Sequence, residues 1–262
     1  MFDESFHREL TAWRRDIHRH PETAFEELRT AELIASRLQD FGIAVDRGLA
    51  GTGVVGTLKQ GSGSRAIGLR ADMDALPMQE LNEFPHRSVH AGKMHACGHD
   101  GHVTMLLGAA RLLAAEGGFD GTIHFIFQPA EEGGGGGHRM VEEGLFRKFP
   151  VDGVYGMHNM PGIPAGQFAT RAGPVMAAAD ELDIVVRGTG GHAAVPHRAC
   201  DPILAGAHLV AALQSIVSRN VRPVDPAVVS VTQIHGGDAY NVIPQRARLS
   251  GPVRAFSNQV ME

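Results

Sequence analysis

The chain has 262 residues, 43% of them apolar and 20% charged, which is enough for one large domain or two modest ones with a real core and excludes a disordered or fibrous chain. Its formal net charge of −5 gives no basic surplus to draw it toward nucleic acid or anionic lipid. No run reaches the ~18 consecutive apolar residues of a membrane helix, Met1-Phe2-Asp3-Glu4 lacks the basic start of an export signal, and the expected compartment is the cytoplasm. Phe6, Leu10, Trp13 and Ile17 recur at helical spacing until Pro21, and Leu28, Ala31, Ile34, Leu38 and Phe41 form a second helical stripe with Gly42 placed for a left-handed cap. Thr52 to Lys59 and Ala66 to Ala71 read as two strands joined by a hairpin-type turn at Gln60-Gly61-Ser62-Gly63-Ser64. Gly101 to Ala115 is helical in period and ends at Gly117-Gly118, whereas Thr122 to Phe127 is a nearly continuous apolar run suited to a strand covered on both faces. Val151 to Met157 resembles that run.

This alternation predicts an α/β layered domain with a largely parallel sheet over residues 1–178. A composition shift at Ala177-Ala178-Ala179 opens a smaller α+β domain over residues 179–262. Within it, Glu181 to Arg187, Val228 to Ile234 and Arg246 to Phe256 read as strands and Pro202 to Val217 as a helix.

Ligands of open α/β sheets bind outside the carboxyl ends of the strands, so the residues after each predicted strand are the candidates. One strand runs into Asp72-Met73-Asp74, another into Gln128-Pro129-Ala130-Glu131-Glu132, and a third delivers His158; His95 to Asp100 lies just before a helix start. With only two cysteines, Cys97 and Cys200, a disulfide framework is excluded, and a role for either is metal or thiol chemistry. Alone, Cys97 or His99 reads as an ordinary buried or loop residue. Separated only by Gly98 and set beside two acidic strand ends, the pair reads as metal ligands, with a thiolate able to bridge two ions. Adjacent side chains on extended backbone diverge, so Glu131 and Glu132 divide two tasks, one holding metal and one facing the water. Asp72 and Asp74 are either ligands or carboxylates that hold a ligating imidazole, the second reading being favoured for Asp74. Gly133 to Gly137 permits close backbone approach but ends in no phosphate-loop lysine. His192, in a glycine-rich turn, and Asn241, before a strand, are weaker candidates by themselves, and Cys200 reads as structural.

Arg70 to Pro77, Met94 to His102, Gln128 to Gly136, Gly156 to Asn159 and Gly190 to Pro196 together resemble the dinuclear metal amidohydrolases that include hippurate hydrolases, N-acyl-amino-acid amidohydrolases and auxin-conjugate hydrolases, relatives of aminoacylase and carboxypeptidase G. The resemblance implies two divalent ions, zinc or manganese, held by Cys97, His99, Glu132 and His158, with Cys97 bridging. It further implies Glu131 as general base, His192 as the small-domain histidine that steadies the oxyanion in a neighbouring subunit, Asn241 as a substrate contact and Asp74 as the supporting carboxylate. Asp72 stands where more distant relatives have a metal-binding histidine.

The expected protein is a cytoplasmic amidohydrolase of N-acyl amino acids, a homodimer through a small lid and dimerisation domain, with no nucleic-acid or membrane partner. Family members continue beyond Glu262 with a further histidine ligand, so the C-terminal part of the family fold is expected to lie outside this sequence. Two rival expectations are a relative that binds metal or acyl ligand without turnover, and a thiol amidase with Cys97 as nucleophile.

Overall fold

The computed structural model describes residues 3–262, and the Met1-Phe2 part of the N-terminal reading lies outside the described residues. Backbone packing divides the chain into a first unit ending at Gly162 and a second, Ile163–Glu262. Among the described residues no helix is long and apolar enough to cross a membrane.

The first unit begins with helices α1 (Glu4–Arg19) and α2 (Leu28–Asp40). Asp3 caps α1 by accepting the Phe6 amide at 2.8 Å, and Phe6, Trp13 and Ile17 form its buried face as the spacing predicts. In α2 the stripe is Ala31, Ile34, Ala35 and Leu38, with Gly42 at φ 74° completing the expected cap. Leu28 departs from the expected stripe and is 70% exposed, because it occupies the first helical position, ahead of the packed turns.

A five-stranded sheet follows, in the order β1 (Ala44–Leu49), β2 (Gly53–Gln60), β4 (Gly121–Gln128), β3 (Ala66–Asp72), β5 (Gly153–Gly156). β1 and β2 pair antiparallel, β2 and β4 antiparallel, β4 and β3 parallel, β3 and β5 parallel. Four of the five strands therefore run the same way and only β2 opposes them. The expected hairpin between β2 and β3 is corrected: β4 lies between them. Gln60 sits opposite Gly121 and Ala66 beside Thr122, so residues 61–65 bridge over the start of β4, where Asp120 Oδ1 accepts the Gly63 amide at 2.6 Å. Two strand spacings are about 10 Å, well within reach of five residues at about 3.3 Å each.

Alternate residues of β4 feed two cores. Ile123, Phe125 and Phe127 pack with α1, α2 and helix α3 (His99–Glu116), while Ile126 packs with Met140, Leu145 and Phe149 around helices α4 (Gly136–Glu142) and α5 (Leu145–Lys148). This burial on both faces is what the unbroken apolar run of β4 requires. Because β3, β4 and β5 are parallel, Asp72 lies beside Gln128 and Arg70 beside Gly156, so the chain leaves all three strands at one edge.

The second unit is built on a ten-residue antiparallel ladder between β6 (Ala178–Arg187) and β11 (Arg246–Ala255). Helix α6 (Pro202–Ser215) starts at Asp201, which accepts the Ile203 and Leu204 amides, and its Gly206 lies over Ala247 and Leu249 of β11. The single strand expected over Val228 to Ile234 is two, β8 (Ala227–Val229) and β9 (Gln233–His235), both on β11. Between them Ser230 crowds Gly251 and faces Pro252, which has no amide hydrogen to continue a ladder. A two-stranded ribbon, β7 (Gly191–His192) with β10 (Val242–Ile243), and a short helix α7 (Asn258–Met261) complete the unit.

Candidate metal centre

The strand ends of β3, β4 and β5 and the first turn of α3 bring six of the sequence-predicted residues together in the first unit: Asp74, Cys97, His99, Glu131, Glu132 and His158. Donor atoms of Cys97, His99 and His158 lie within 4.8 Å of one another, as do those of His99, Glu131 and Glu132. Gly98 makes the first group possible. At φ 89° it turns the backbone in the left-handed region between Cys97 and His99, and a Cβ there would meet the Asn159 side chain at 2.5 Å.

Each ligand-type histidine is oriented by a backbone carbonyl. His99 Nδ1 lies 2.9 Å from Asp74 O, and His158 Nδ1 lies 2.6 Å from Asn159 O. A carbonyl only accepts, so both Nδ1 atoms carry a proton, and in the neutral rings that bind metal both Nε2 atoms present a lone pair. His158 Nε2 faces Cys97 Sγ at 3.4 Å. His99 Nε2 is 3.7 Å from Asp72 Oδ2 and 3.9 Å from both Glu131 Oε2 and Glu132 Oε1. Among the described residues, the buried atoms His99 Nε2 and Glu132 Oε1 have no hydrogen-bond partner. Buried polar atoms ordinarily find one, so two that converge without one mark a place for a cation.

The electrostatics agree. Burial pushes the Cys97 thiol up to about 12, and the negative charges of Glu132, Glu131 and Asp72 add to it. Glu131 is raised by burial and then by Glu132 and Asp72. Burial opposes a charged His99 ring, but Asp74, Asp72 and Glu132 outweigh it and raise the ring above its ordinary value. Thiol, imidazole and three carboxylates crowded together form a negative site whose balance a bound divalent ion would restore.

Asp74 is engaged through one oxygen: its Oδ2 accepts the Glu132 amide at 2.9 Å, whereas its buried Oδ1 stands 3.3 Å from His99 Nδ1 without a hydrogen bond. Asp72 is fully engaged. Its Oδ2 accepts from Arg70 Nη1 at 2.7 Å and its Oδ1 from His102 Nδ1 at 2.6 Å. Burial works against the Asp72 charge, yet His102 and Arg70 hold the carboxyl far below the usual range. His102 Nε2 in turn accepts the Asn159 amide at 3.0 Å, so both of its ring nitrogens are occupied and it fixes the segment that carries His158. His102 did not stand out in the sequence, although its i,i+3 spacing from His99 places both on one helical face.

Two further supports were not legible. Glu27, fully buried and raised by burial, accepts the Ala130 amide at 2.9 Å and the Thr52 hydroxyl at 2.7 Å, holding Ala130 at φ 51° just before the Glu131-Glu132 pair. The glycine run closes on the same turn: Gly136 donates to Ala130 O at 3.0 Å, and a Cβ on it would meet Pro129 O at 1.8 Å. Behind the centre, Asp100 in the first turn of α3 is bound by Arg14 at 3.2 Å and by His18 Nδ1 at 3.0 Å, while His18 Nε2 faces Glu80 at 3.2 Å.

His192 and Asn241 belong to the second unit and meet on its ribbon, where His192 pairs with Val242 and the Ala193 amide donates to Asn241 O at 2.9 Å. The Ala194 amide donates to His192 Nδ1 at 3.1 Å, so the neutral ring carries its proton on Nε2. Cys200 is exposed and takes part in no cluster of metal-binding type among the described residues.

A family model, Peptidase family M20/M25/M40, matches residues 68–253, which include every one of these donor residues. The chain belongs to that family. It is 50% identical over 246 residues to a hippurate hydrolase of Campylobacter jejuni, covering 94% of this chain and 64% of that protein. It is 41% identical to an N-acetylcysteine deacetylase of Bacillus subtilis, covering 100% of this chain and 69% of that one. Among solved structures, the YXEP protein of Bacillus subtilis, described as a dinuclear metal-binding peptidase of the M20 family, matches with a TM-score of 0.75 and 37% identity over 99% of this chain and 67% of that chain. The chain thus spans about two thirds of the M20 relatives it matches.

Gly98→Ala should cost about 1–2 kcal/mol in urea unfolding, the penalty of a Cβ in the left-handed region, and should weaken metal binding in chelator competition at least about tenfold. Adding Asn159→Ala removes the side-chain overlap but should not restore stability; full restoration would locate the constraint in packing rather than in φ. The His18 cluster predicts a pH window. His18 is raised chiefly by its bond to Asp100, so its contribution is complete below the unfolded value and lost as pH rises through the folded one. Asp100 and Glu80 are lowered despite burial, so theirs is lost as pH falls through their folded values. His18→Ala should therefore cost about 3 kcal/mol between about pH 4.5 and 6.5 and progressively less above it; a pH-independent cost in urea titrations would contradict the ion-pair assignment.

Proposed function

We propose that this chain carries the catalytic centre of a metal-dependent amidohydrolase that cleaves the amide of an N-acyl amino acid into a carboxylate and the free amino acid. The observation that carries the reading is the pair of imidazoles, each with Nδ1 on a backbone carbonyl and Nε2 turned toward a thiol or paired carboxylates, with His99 Nε2 and Glu132 Oε1 buried and unpartnered. The donors fit two divalent ions, zinc or manganese, which Cys97, His99, Glu132 and His158 would hold; mixed sulfur, nitrogen and oxygen donors suit either metal. Bound there, the ions supply Lewis-acid polarisation of the amide carbonyl and a lowered pKa for water.

Glu131 is the general base. Its side chain is 43% exposed while Glu132 beside it is 22% exposed, so it is the carboxylate of the pair that solvent reaches, and its raised proton affinity suits a group that must take a proton and return it. It removes one proton from water as the water oxygen bonds to the amide carbon, and delivers that proton to nitrogen as the carbon–nitrogen bond breaks. His192, with its proton on Nε2, is a donor for the oxyanion at the centre of a neighbouring subunit, and Asn241 beside it on the ribbon contacts substrate there. Asp74 orients His99 and the Glu132 backbone. In this reading residues 179–262 form the lid and dimerisation domain of a cytoplasmic homodimer. The names of the Campylobacter and Bacillus relatives support N-acyl amino acids as the substrate class.

A cysteine nucleophile is disfavoured. An activated cysteine needs electropositive surroundings that lower its pKa, and Cys97 sits among carboxylates that raise it.

Glu131→Gln should retain metal by elemental analysis and lose about 10²–10⁴-fold in turnover in a free-amine assay on N-acetyl and N-benzoyl amino acids. Loss of metal together with activity would reassign Glu131 as a ligand. Absence of amine release from folded, metal-loaded wild type would favour binding without turnover.

A further inference from the structure

The second unit has an open sheet face that the proposed chemistry does not use. Along β11 the buried side chains Ala247 and Leu249 face α6, so Arg246 and Arg248 point to the opposite face. Across the β6–β11 ladder the residue opposite Arg246 is Arg187, and across the β11–β9 ladder the residue opposite Arg248 is His235. These side chains line a cavity of about 1230 Å³ together with Asp183 and Asp238.

Charge on this face is only partly balanced. Arg248 is neutralised by a two-pronged bond to Asp183, with Nε and Nη2 each 2.8 Å from a carboxylate oxygen. Arg187 and Arg246 have no acceptor among the described residues, and no ion pair joins Asp238 to either. Like charges directly opposite on paired strands repel, and such a pair is stabilised when an anion sits between the two guanidinium groups. The same two segments continue through Gly188 and Gln245, joined by a 2.9 Å backbone bond, into the ribbon that carries His192 and Asn241.

We propose that this groove is a binding site for a small dianion, held between Arg187 and Arg246, with the chemistry shared by an inorganic oxyanion and a dicarboxylate. The assignment is independent of the hydrolytic reading. It is tested by thermal unfolding of the wild-type chain, R187Q and R246Q in sodium sulfate, in sodium succinate and in sodium chloride at matched ionic strength. Nonspecific salt effects and binding at the metal centre are common to all three proteins and cancel in the comparison. The wild type should show a saturable rise in Tm with at least one dianion, and each variant should need about tenfold more of it, the loss of one charge-assisted bond. Sulfate giving the larger specific shift identifies an inorganic oxyanion; succinate giving the larger shift identifies a dicarboxylate. In chloride at low salt, R246Q should melt about 1–4 °C above wild type because the repulsion is relieved. Equal dianion responses in all three proteins, or an R246Q that melts at or below wild type in chloride, would overturn the site.

Discussion

The interaction on which the first unit's architecture turns is the bond from His99 Nδ1 to the Asp74 carbonyl. It decides the tautomer, and the tautomer decides that a lone pair on a completely buried ring faces three carboxylates instead of meeting a hydrogen-bond donor. Such an arrangement is costly unless a cation completes it. The neighbouring features read as devices that hold this incomplete set in place. Asp74 also holds the Glu132 backbone, Arg70 and His102 anchor Asp72, and His102 passes the restraint on to Asn159 and so to His158.

The fold supplies the convergence. Parallel β3, β4 and β5 release their chains at one edge, and α3 begins there, so residues far apart in sequence arrive within a few ångströms. Two positions then demand unusual backbone. Gly98 adopts it freely, while Ala130 is held in it by the buried Glu27 carboxylate and by Gly136 closing from below. Strain at Ala130 thereby sets the direction in which the chain leaves β4, and the Glu131 and Glu132 carboxylates, expected to diverge, instead converge on His99 Nε2.

The sequence made the local features legible and hid the distant ones. The Cys97-Gly98-His99 turn, the apolar run of β4 and the caps of α1 and α2 each report themselves within a few residues. The β2–β3 connection did not, because a short glycine-rich link looks the same whether its strands pair or admit a third between them. β1 was missed since its alternation is mostly exposed and polar. Glu27 could not be found from sequence, as its partner Ala130 lies 103 positions away. His102 was within reach: its helical spacing from His99 is a sequence signal, and only the occupation of both its nitrogens separates a supporting histidine from a ligand.

The second unit repeats the theme at its surface, where strand register places Arg187 against Arg246 as firmly as it places His192 beside Asn241. In both units the informative feature is a charge or lone pair left without a partner. The most direct measurement is native mass spectrometry of the metal-free folded chain titrated with Zn²⁺ or Mn²⁺, alongside His99→Gln. Stoichiometric uptake by wild type and its loss in the variant is the predicted result. No uptake by folded wild type, or undiminished uptake by His99→Gln, would contradict the claim that the buried imidazole lone pair is there for a cation.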